Sequence, residues 1–264
     1  MTDSTVLYEF RDPGIGLLTL NRPDRLNAWN AQMAGRYFEL LDQCASDPAV
    51  RVIVITGAGR GFCAGADMAT LQDIGAGGAS SAEAAAGGRA QDHTTTIPKP
   101  VIAAINGACA GIGMVQALMC DIRFAAAGAK FTTAFARRGL IAEYGMSWVL
   151  PRLIGSARAL DLLMSGRIVL AEEAAAIGLV NEVVAPHLLL ERTLQYATDL
   201  AINSSPTSMA VMKRQVYADL ERPLADSTAA AVELMKASLA RPDFSEGVAS
   251  FIEKRPPNFQ PIED

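Results

Sequence analysis

The stretch Lys99-Pro-Val-Ile-Ala-Ala-Ile-Asn-Gly-Ala-Cys-Ala-Gly-Ile-Gly-Met-Val-Gln-Ala-Leu-Met-Cys-Asp121 decides how the chain folds. Twenty of its residues, Val101 to Cys120, carry no formal charge, and by length alone they would suit a membrane span. The interior argues against that. Asn106, Gln116 and the glycines at 107, 111 and 113 interrupt the run. The pattern predicts a buried strand over Val101 to Ile105, a turn at Asn106-Gly107, and a helix from about Ile112 to Met119. Strand, glycine turn and helix in that order make the unit of an α/β sheet.

Upstream, Arg51 to Thr56 is a valine- and isoleucine-rich strand ending at Gly57, and Asn30 is an N-cap for a helix reaching about Cys44. Val6 to Phe10 and Leu17 to Leu20 read as strands of a hairpin turned by Asp12-Pro13-Gly14 and closed by Asn21-Arg22-Pro23-Asp24. Residues 73–90, rich in Gly, Ala and Ser, read as a mobile loop flanking a short helix. Downstream, Ile122 to Ala125 is a further strand. After Pro151 the pattern becomes helical: 157–164, 171–177, 188–201, 206–220, 225–240 and 244–253, with only Val180 to Val184 strand-like. The expectation is an α/β fold of repeated ββα units over residues 1–200, followed by a helical C-terminal region over 201–264.

The composition of the 264 residues fits this. Half are hydrophobic and 19 % charged, which supports a large core and excludes a disordered chain. A net charge of −5 supplies no basic field for nucleic acid or anionic lipid, so neither is an expected partner. Cys44, Cys63, Cys109 and Cys120 form no CxxC pair and read as reduced buried thiols. With only His93 and His187, a histidine metal cluster is not expected. The first residues, Met1-Thr2-Asp3-Ser4-Thr5, include an acid and no apolar run, so the expected location is the cytoplasm.

Two glycine-rich turns follow apolar strands, Gly57 to Asp67 and Asn106 to Gly113, and each leads towards a helix. Glycine permits close backbone approach and a helix start presents unpaired N–H groups, so each turn can offer an amide to a developing oxyanion. The competing reading is two tight connections without chemistry. The first turn also contains Gly59-Arg-Gly-Phe-Cys-Ala64, a literal dinucleotide fingerprint. Gly65 and Asp67 interrupt the helix it should open, and no acid follows at the spacing that would hold a ribose.

Five segments together resemble the crotonase, or enoyl-CoA hydratase/isomerase, family: 21–28 (NRPDRLNA), 61–67 (GFCAGAD), 99–107 (KPVIAAING) running on to Met119-Cys-Asp121, Gly139 to Pro151-Arg152, and 251–256 (FIEKRP). The resemblance covers about Val6 to Phe259. It implies a spiral of ββα units with a helical C-terminal trimerisation region, trimers or dimers of trimers, and acyl-CoA thioester substrates, with no cofactor besides the coenzyme A of the substrate. It further implies an oxyanion hole at the amides of Ala66 and Ile112. CoA contacts would come from Arg25, Leu26, Ala28, Ala64, Asp67, Met68 and Gly111, with Phe251 and Lys254 contributed by a neighbouring subunit. For Arg25 and Lys254 a solvated surface charge is the competing reading, and Asp67 also reads as a cap of the helix that follows it.

Hydratases of this family use two glutamates, and the corresponding positions here are Val115 and Phe135. Between His93 and Glu143 the only acid is Asp121, which reads as structural. Glu143, within Gly139-Leu-Ile-Ala-Glu-Tyr-Gly-Met-Ser-Trp148, stands where some Δ3,Δ2-enoyl-CoA isomerases of the family have Glu. One carboxylate suits a 1,3-proton transfer, whereas hydration asks for one group to activate water and another to deliver a proton. Phe135, Ile141 and Trp148 are expected around Glu143, raising its pKa. A solvated or helix-start carboxylate is the competing reading. Cys63 reads as a packed thiol, His93 as a surface side chain or a wall of the acyl channel, and Ser147 as having no histidine partner. The leading expectation is an enoyl-CoA isomerase. A hydratase, a non-catalytic acyl-CoA binder and, more distantly, a dinucleotide oxidoreductase are the alternatives.

Overall fold

The computed structural model describes residues 4–75 and 89–262, so most of the loop expected over 73–90 lies outside the described residues. Strands β1 (Val6–Arg11) and β2 (Ile15–Leu20) pair antiparallel across the Asp12-Pro13-Gly14 turn. β2 then pairs parallel with β3 (Val52–Gly57), β3 with β5 (Val101–Ile105), β5 with β7 (Ile122–Ala126), and β7 with β10 (Glu182–Val184). Inner strands β3 and β5 are apolar almost end to end because both their faces are covered, which is why the 99–121 stretch shows no alternation.

Each of β3, β5 and β7 is followed by a three-residue strand that enters a second sheet. These are β4 (Gly61–Cys63), β6 (Ala108–Ala110) and β8 (Lys130–Thr132), joined by β9 (Val169–Leu170) in the order β4-β6-β8-β9. The ββα repetition is therefore present, with one correction. Two second strands lie inside what the sequence reads as plain glycine turns, because three residues of Gly, Ala and Cys are too short and too small to show a period of two. The third, β8, and β9 also escape the sequence reading.

Two asparagines, Asn27 buried and Asn106 half-buried, hold the bends between the sheets. Asn27 Nδ2 donates to the carbonyls of Ala58 (2.9 Å) and Gly61 (2.7 Å), and its Oδ1 accepts from Arg22 N (2.8 Å). Asn106 Nδ2 donates to the carbonyls of Gly57 (2.9 Å) and Gly59 (3.0 Å). Bent backbone leaves carbonyls that no ladder satisfies, and these amides satisfy them.

The helix Ala31–Ser46 begins where its cap predicts, with Asn30 Oδ1 accepting from Met33 N at 2.9 Å. Its face of Met33, Tyr37, Phe38 and Leu41 is buried against the first strands. The helix Ile112–Met119 has the predicted bounds and is buried throughout. A second correction concerns Met146–Ile154, a helix with Pro151 inside it, where the sequence reading begins the helical part only after that proline. Among the described residues no helix is long and apolar enough to cross a membrane.

From Pro206 on, the helices Pro206–Asp219, Leu224–Leu239 and Pro242–Glu253 bury very little of themselves. Met212, Val216, Leu224, Met235, Phe251 and Ile252 are exposed in this single chain.

Candidate active site

The two turns meet because glycines allow it. An added Cβ at Gly113, in the first turn of the helix Ile112–Met119, would collide with the carbonyl oxygen and side chain of Cys63 in β4. At Gly65 (φ +106°) it would stand 3.3 Å from the carbonyl oxygen of Ala110. Backbone thus packs directly on backbone, bringing residues 64–67 against residues 110–113.

A cavity of about 410 Å³ opens at this junction. Its lining brings together most of the sequence-predicted residues: Arg25, Ala28, Ala64, Ala66, Asp67, Met68, Gly111, Ile112 and Glu143. Three do not line it. Leu26 (φ +48°) is turned into the local fold, its N–H donating to Pro23 O and its carbonyl accepting from Ala64 N. Phe251, 85 % exposed, and Lys254, at the end of the last helix, lie elsewhere on the chain.

The Ala66 and Ile112 amides are both available. Trp29 N donates to Gly65 O (2.8 Å) and Asp67 N to Trp29 O (2.9 Å), forming a short parallel bridge that uses the Gly65 carbonyl and the Asp67 N–H and leaves the Ala66 N–H without a partner among the described residues. Ile112 opens its helix after Gly111, whose N–H is taken by Thr132 O (3.0 Å). The Ile112 N–H has no partner among the described residues, as expected at a helix N-terminus. Both residues line the same cavity, and two such amides on one oxygen could stabilise a developing oxyanion by a few kcal/mol per donor.

Arg22, which sequence reasoning placed only in a hairpin closure, braces this region. Its Nη2 meets Asp67 Oδ2 at 2.7 Å, and its Nη1 donates to the Ala28 carbonyl. Asp67 also caps the next helix, accepting from Ala69 N at 3.0 Å. The Arg22 hydrogen bond, followed by that of Ala69, holds the Asp67 carboxyl below its ordinary value.

Glu143 lies on the facing segment with its carbonyl accepting from Met146 N (3.0 Å). Its carboxylate accepts no hydrogen bond from the described residues, and desolvation alone raises its pKa above the ordinary 4.5. The direction is the expected one, but the surroundings need correction. Phe135 (4 % exposed) lines the cavity as expected, whereas Ile141 is 79 % exposed and Trp148 lies outside the lining, under the guanidinium of Arg152. Leu140 and Tyr144 take those places, because Gly139 (φ +72°) and Tyr144 (φ +53°) bend the segment and turn Ile141 outward. No periodicity reveals such a bend.

Val115, at one family glutamate position, is fully buried. Asp121 is structural, accepting from Val101 N (2.8 Å) and Lys213 Nζ (2.8 Å). Burial pushes the Cys63 thiol up to about 12, so it is unreactive. His93 pairs with Asp42 (2.6 Å) away from the cavity, excluding a role as its wall. The Gly59 to Ala64 stretch ends in β4 and opens no helix, as a dinucleotide turn must. Among the described residues no His, Cys, Asp and Glu group could hold a metal ion.

Comparison with known proteins agrees with this geometry. The family model for enoyl-CoA hydratase/isomerase matches residues 11–261. A 1,2-epoxyphenylacetyl-CoA isomerase of Escherichia coli is 36 % identical over 94 % of this chain and 95 % of its own. The crystal structure of an enoyl-CoA hydratase of Mycobacterium marinum is 55 % identical, covering 83 % of this chain and all of that one, with a TM-score of 0.71. A probable enoyl-CoA hydratase/isomerase of Mycobacterium abscessus superposes over 97 % of this chain and 99 % of its own, at 32 % identity and a TM-score of 0.88. A fold of ββα units, two glycine turns converging on a cavity, and likeness along nearly the whole chain place this protein in the enoyl-CoA hydratase/isomerase, or crotonase, family.

Proposed function

We propose that this family member shifts the double bond of an enoyl-CoA, with Glu143 as its only proton-transfer group. The supporting observation is the cavity itself, in which a carboxylate that is partly desolvated and has no partner among the described residues shares the lining with Ala66 and Ile112, whose amides have no partner among the described residues either. Glu143 removes a proton from C2 of a 3-enoyl thioester. The two amides hold the oxygen of the dienolate, and the carboxylic acid returns the proton at C4, leaving the conjugated 2-enoyl thioester. Arg25, Ala28, Ala64, Met68 and Gly111 would contact the coenzyme A moiety, while Leu26 would act through backbone and Asp67 by shaping the turn. The exposed Phe251 and Lys254 would reach the CoA of a second copy, in a homotrimer or a dimer of trimers built through the C-terminal region. The reaction asks for no cofactor beyond the coenzyme A of the substrate, and the cytoplasm is the location we assign.

Hydration of a 2-enoyl-CoA is the second reading, favoured by the hydratase names of several relatives, among them the M. marinum protein. Against it stand Val115 and Phe135, which can neither activate water nor deliver a proton. The test is an ultraviolet assay of the conjugated thioester band with a 3-enoyl-CoA, run with the wild type and Glu143→Gln. Isomerisation predicts a band that forms only with Glu143 intact. A band absent from both proteins while acyl-CoA still binds would overturn the assignment, and loss of the band from a supplied 2-enoyl-CoA would favour hydration.

A further inference from the structure

The cavity that holds Glu143 also carries an exposed cation, Arg138, that neither the proposed chemistry nor the coenzyme A contacts use. Residues 135–140 form a tight turn in which Arg138 N (2.9 Å) and Leu140 N (3.0 Å) both donate to the Phe135 carbonyl. That closure sets Phe135, Arg138 and Leu140 against the same cavity as Glu143. The two adjacent arginines part company here. Arg137 is drawn away, its Nε donating to Ser165 O (2.7 Å) and its stem lying against Gly166, and it does not line the cavity. Arg138 lines it, and among the described residues its guanidinium makes one hydrogen bond, to the Ala134 carbonyl at 3.2 Å.

No carboxylate of the described residues pairs with Arg138. Of the other acids of the lining, Asp67 is held by Arg22, and Glu143 forms no ion pair among the described residues. A guanidinium with most of its donors unspent matches a planar oxyanion best, because a carboxylate can accept two parallel N–H bonds. A chain with a net charge of −5 repels an acidic ligand unless such a local cation receives it. On the acyl-CoA reading given above, Arg25 stands on the wall that meets the coenzyme A moiety. Arg138 belongs to segment 135–144, the same stretch of the lining that carries Glu143 and that the acyl group must approach if Glu143 is to reach it.

From the juxtaposition of Arg138 with Glu143 and Leu140 in one cavity, we infer that the enzyme takes acyl groups ending in a carboxylate, the monothioesters of dicarboxylic acids, and that Arg138 binds the distal carboxylate. Leu140 and Phe135 cover the methylenes in between.

Saturated thioesters test this without any turnover. Dissociation constants of the four-, six- and eight-carbon dioic monothioesters of CoA and of butyryl-, hexanoyl- and octanoyl-CoA are measured by calorimetry for the wild type, Arg138→Gln and Arg138→Lys. The expected result is a preference of the wild type for at least one dioic thioester over its monoacid of equal length. That ratio should fall by roughly 10- to 100-fold in Arg138→Gln and recover in part in Arg138→Lys, which keeps the charge but not the fork. The same ratio in wild type and Arg138→Gln, at every length, overturns the inference. Should Arg138→Gln fail to fold, the wild-type preference and the Arg138→Lys ratio decide it alone. Binding of neither class by the wild type overturns the acyl-CoA reading as well, whereas equal binding of both classes overturns only the assignment of Arg138.

Discussion

Asp67 and Glu143 face one cavity from two walls, and their surroundings give them opposite properties. The Asp67 wall is polar, with Arg22 and the Ala69 amide each holding an oxygen, and the carboxylate is stabilised in its charged form. The Glu143 wall is built from Phe135, Leu140 and Tyr144, and nothing among the described residues hydrogen-bonds the carboxylate. A group that must accept and return a proton needs the second environment, and a group that must hold a backbone turn needs the first. The difference lies in the neighbours, not in the carboxyl groups.

The largest effect expected is on chemistry. Glu143→Gln should lower kcat for 3-enoyl-CoA isomerisation by about 10²- to 10⁴-fold, the usual contribution of a proton-transfer group, with acyl-CoA affinity nearly kept. Steady-state kinetics beside calorimetry measures both. Asp67→Ala should show the reverse weighting. It removes a cap and an ion pair, and denaturant unfolding should record a loss of roughly 1–3 kcal/mol of stability. A kcat loss in Asp67→Ala as deep as in Glu143→Gln would erase the contrast between the walls.

The pH dependences should also diverge. With Glu143 in the proposed role of base, the rate should rise as it ionises, along a limb displaced above 4.5 because burial disfavours its charge. Linkage follows the same sign: a raised folded pKa means that ionising Glu143 costs stability, a cost absent below the unfolded value and complete above the folded one. For Asp67 the folded pKa is depressed below 3.8, so its stabilising contribution is present above that value and is lost as the pH falls through the folded pKa. Rate profiles and acid unfolding curves read the two separately. The smallest effect expected comes from Leu140→Ser, which wets the Glu143 wall. It should move the kinetic limb back towards 4.5 and leave the acid unfolding attributed to Asp67 in place.

Much of the frame is legible in the sequence. The continuous apolar runs mark β3 and β5, Asn30 marks a helix start, and the glycines of 107–113 mark the turn before the helix Ile112–Met119, because these signals depend on neighbours within a few residues. Glycine turns after strands marked the two segments that converge, while Ala66, Ile112 and Glu143 were singled out through the family resemblance, and the structure sets all three on one cavity. The three-residue strands were not legible, since so short a segment has no period to read. Arg22 and Arg138 were missed for another reason. Arginines carry no local mark of what they will face, and both are surface charges until folding sets one on Asp67 and the other at the cavity wall.

The sequence by itself determined where the longer strands β3 and β5 and the helices Ala31–Ser46 and Ile112–Met119 begin, because hydrophobic runs, capping and glycine act locally. It also limited the chemistry, by leaving Val115 and Phe135 where two acids would otherwise stand. Tertiary structure decided which carboxylate is poised to move a proton. Gly113 on Cys63 and Gly65 beside Ala110 bring distant turns into contact, and the bends at Gly139 and Tyr144 turn Ile141 out and leave the partly exposed Leu140 at the cavity lining. A pKa depends on solvent exclusion and on charges within a few ångströms, and those distances exist only once segments separated by dozens of residues have packed together.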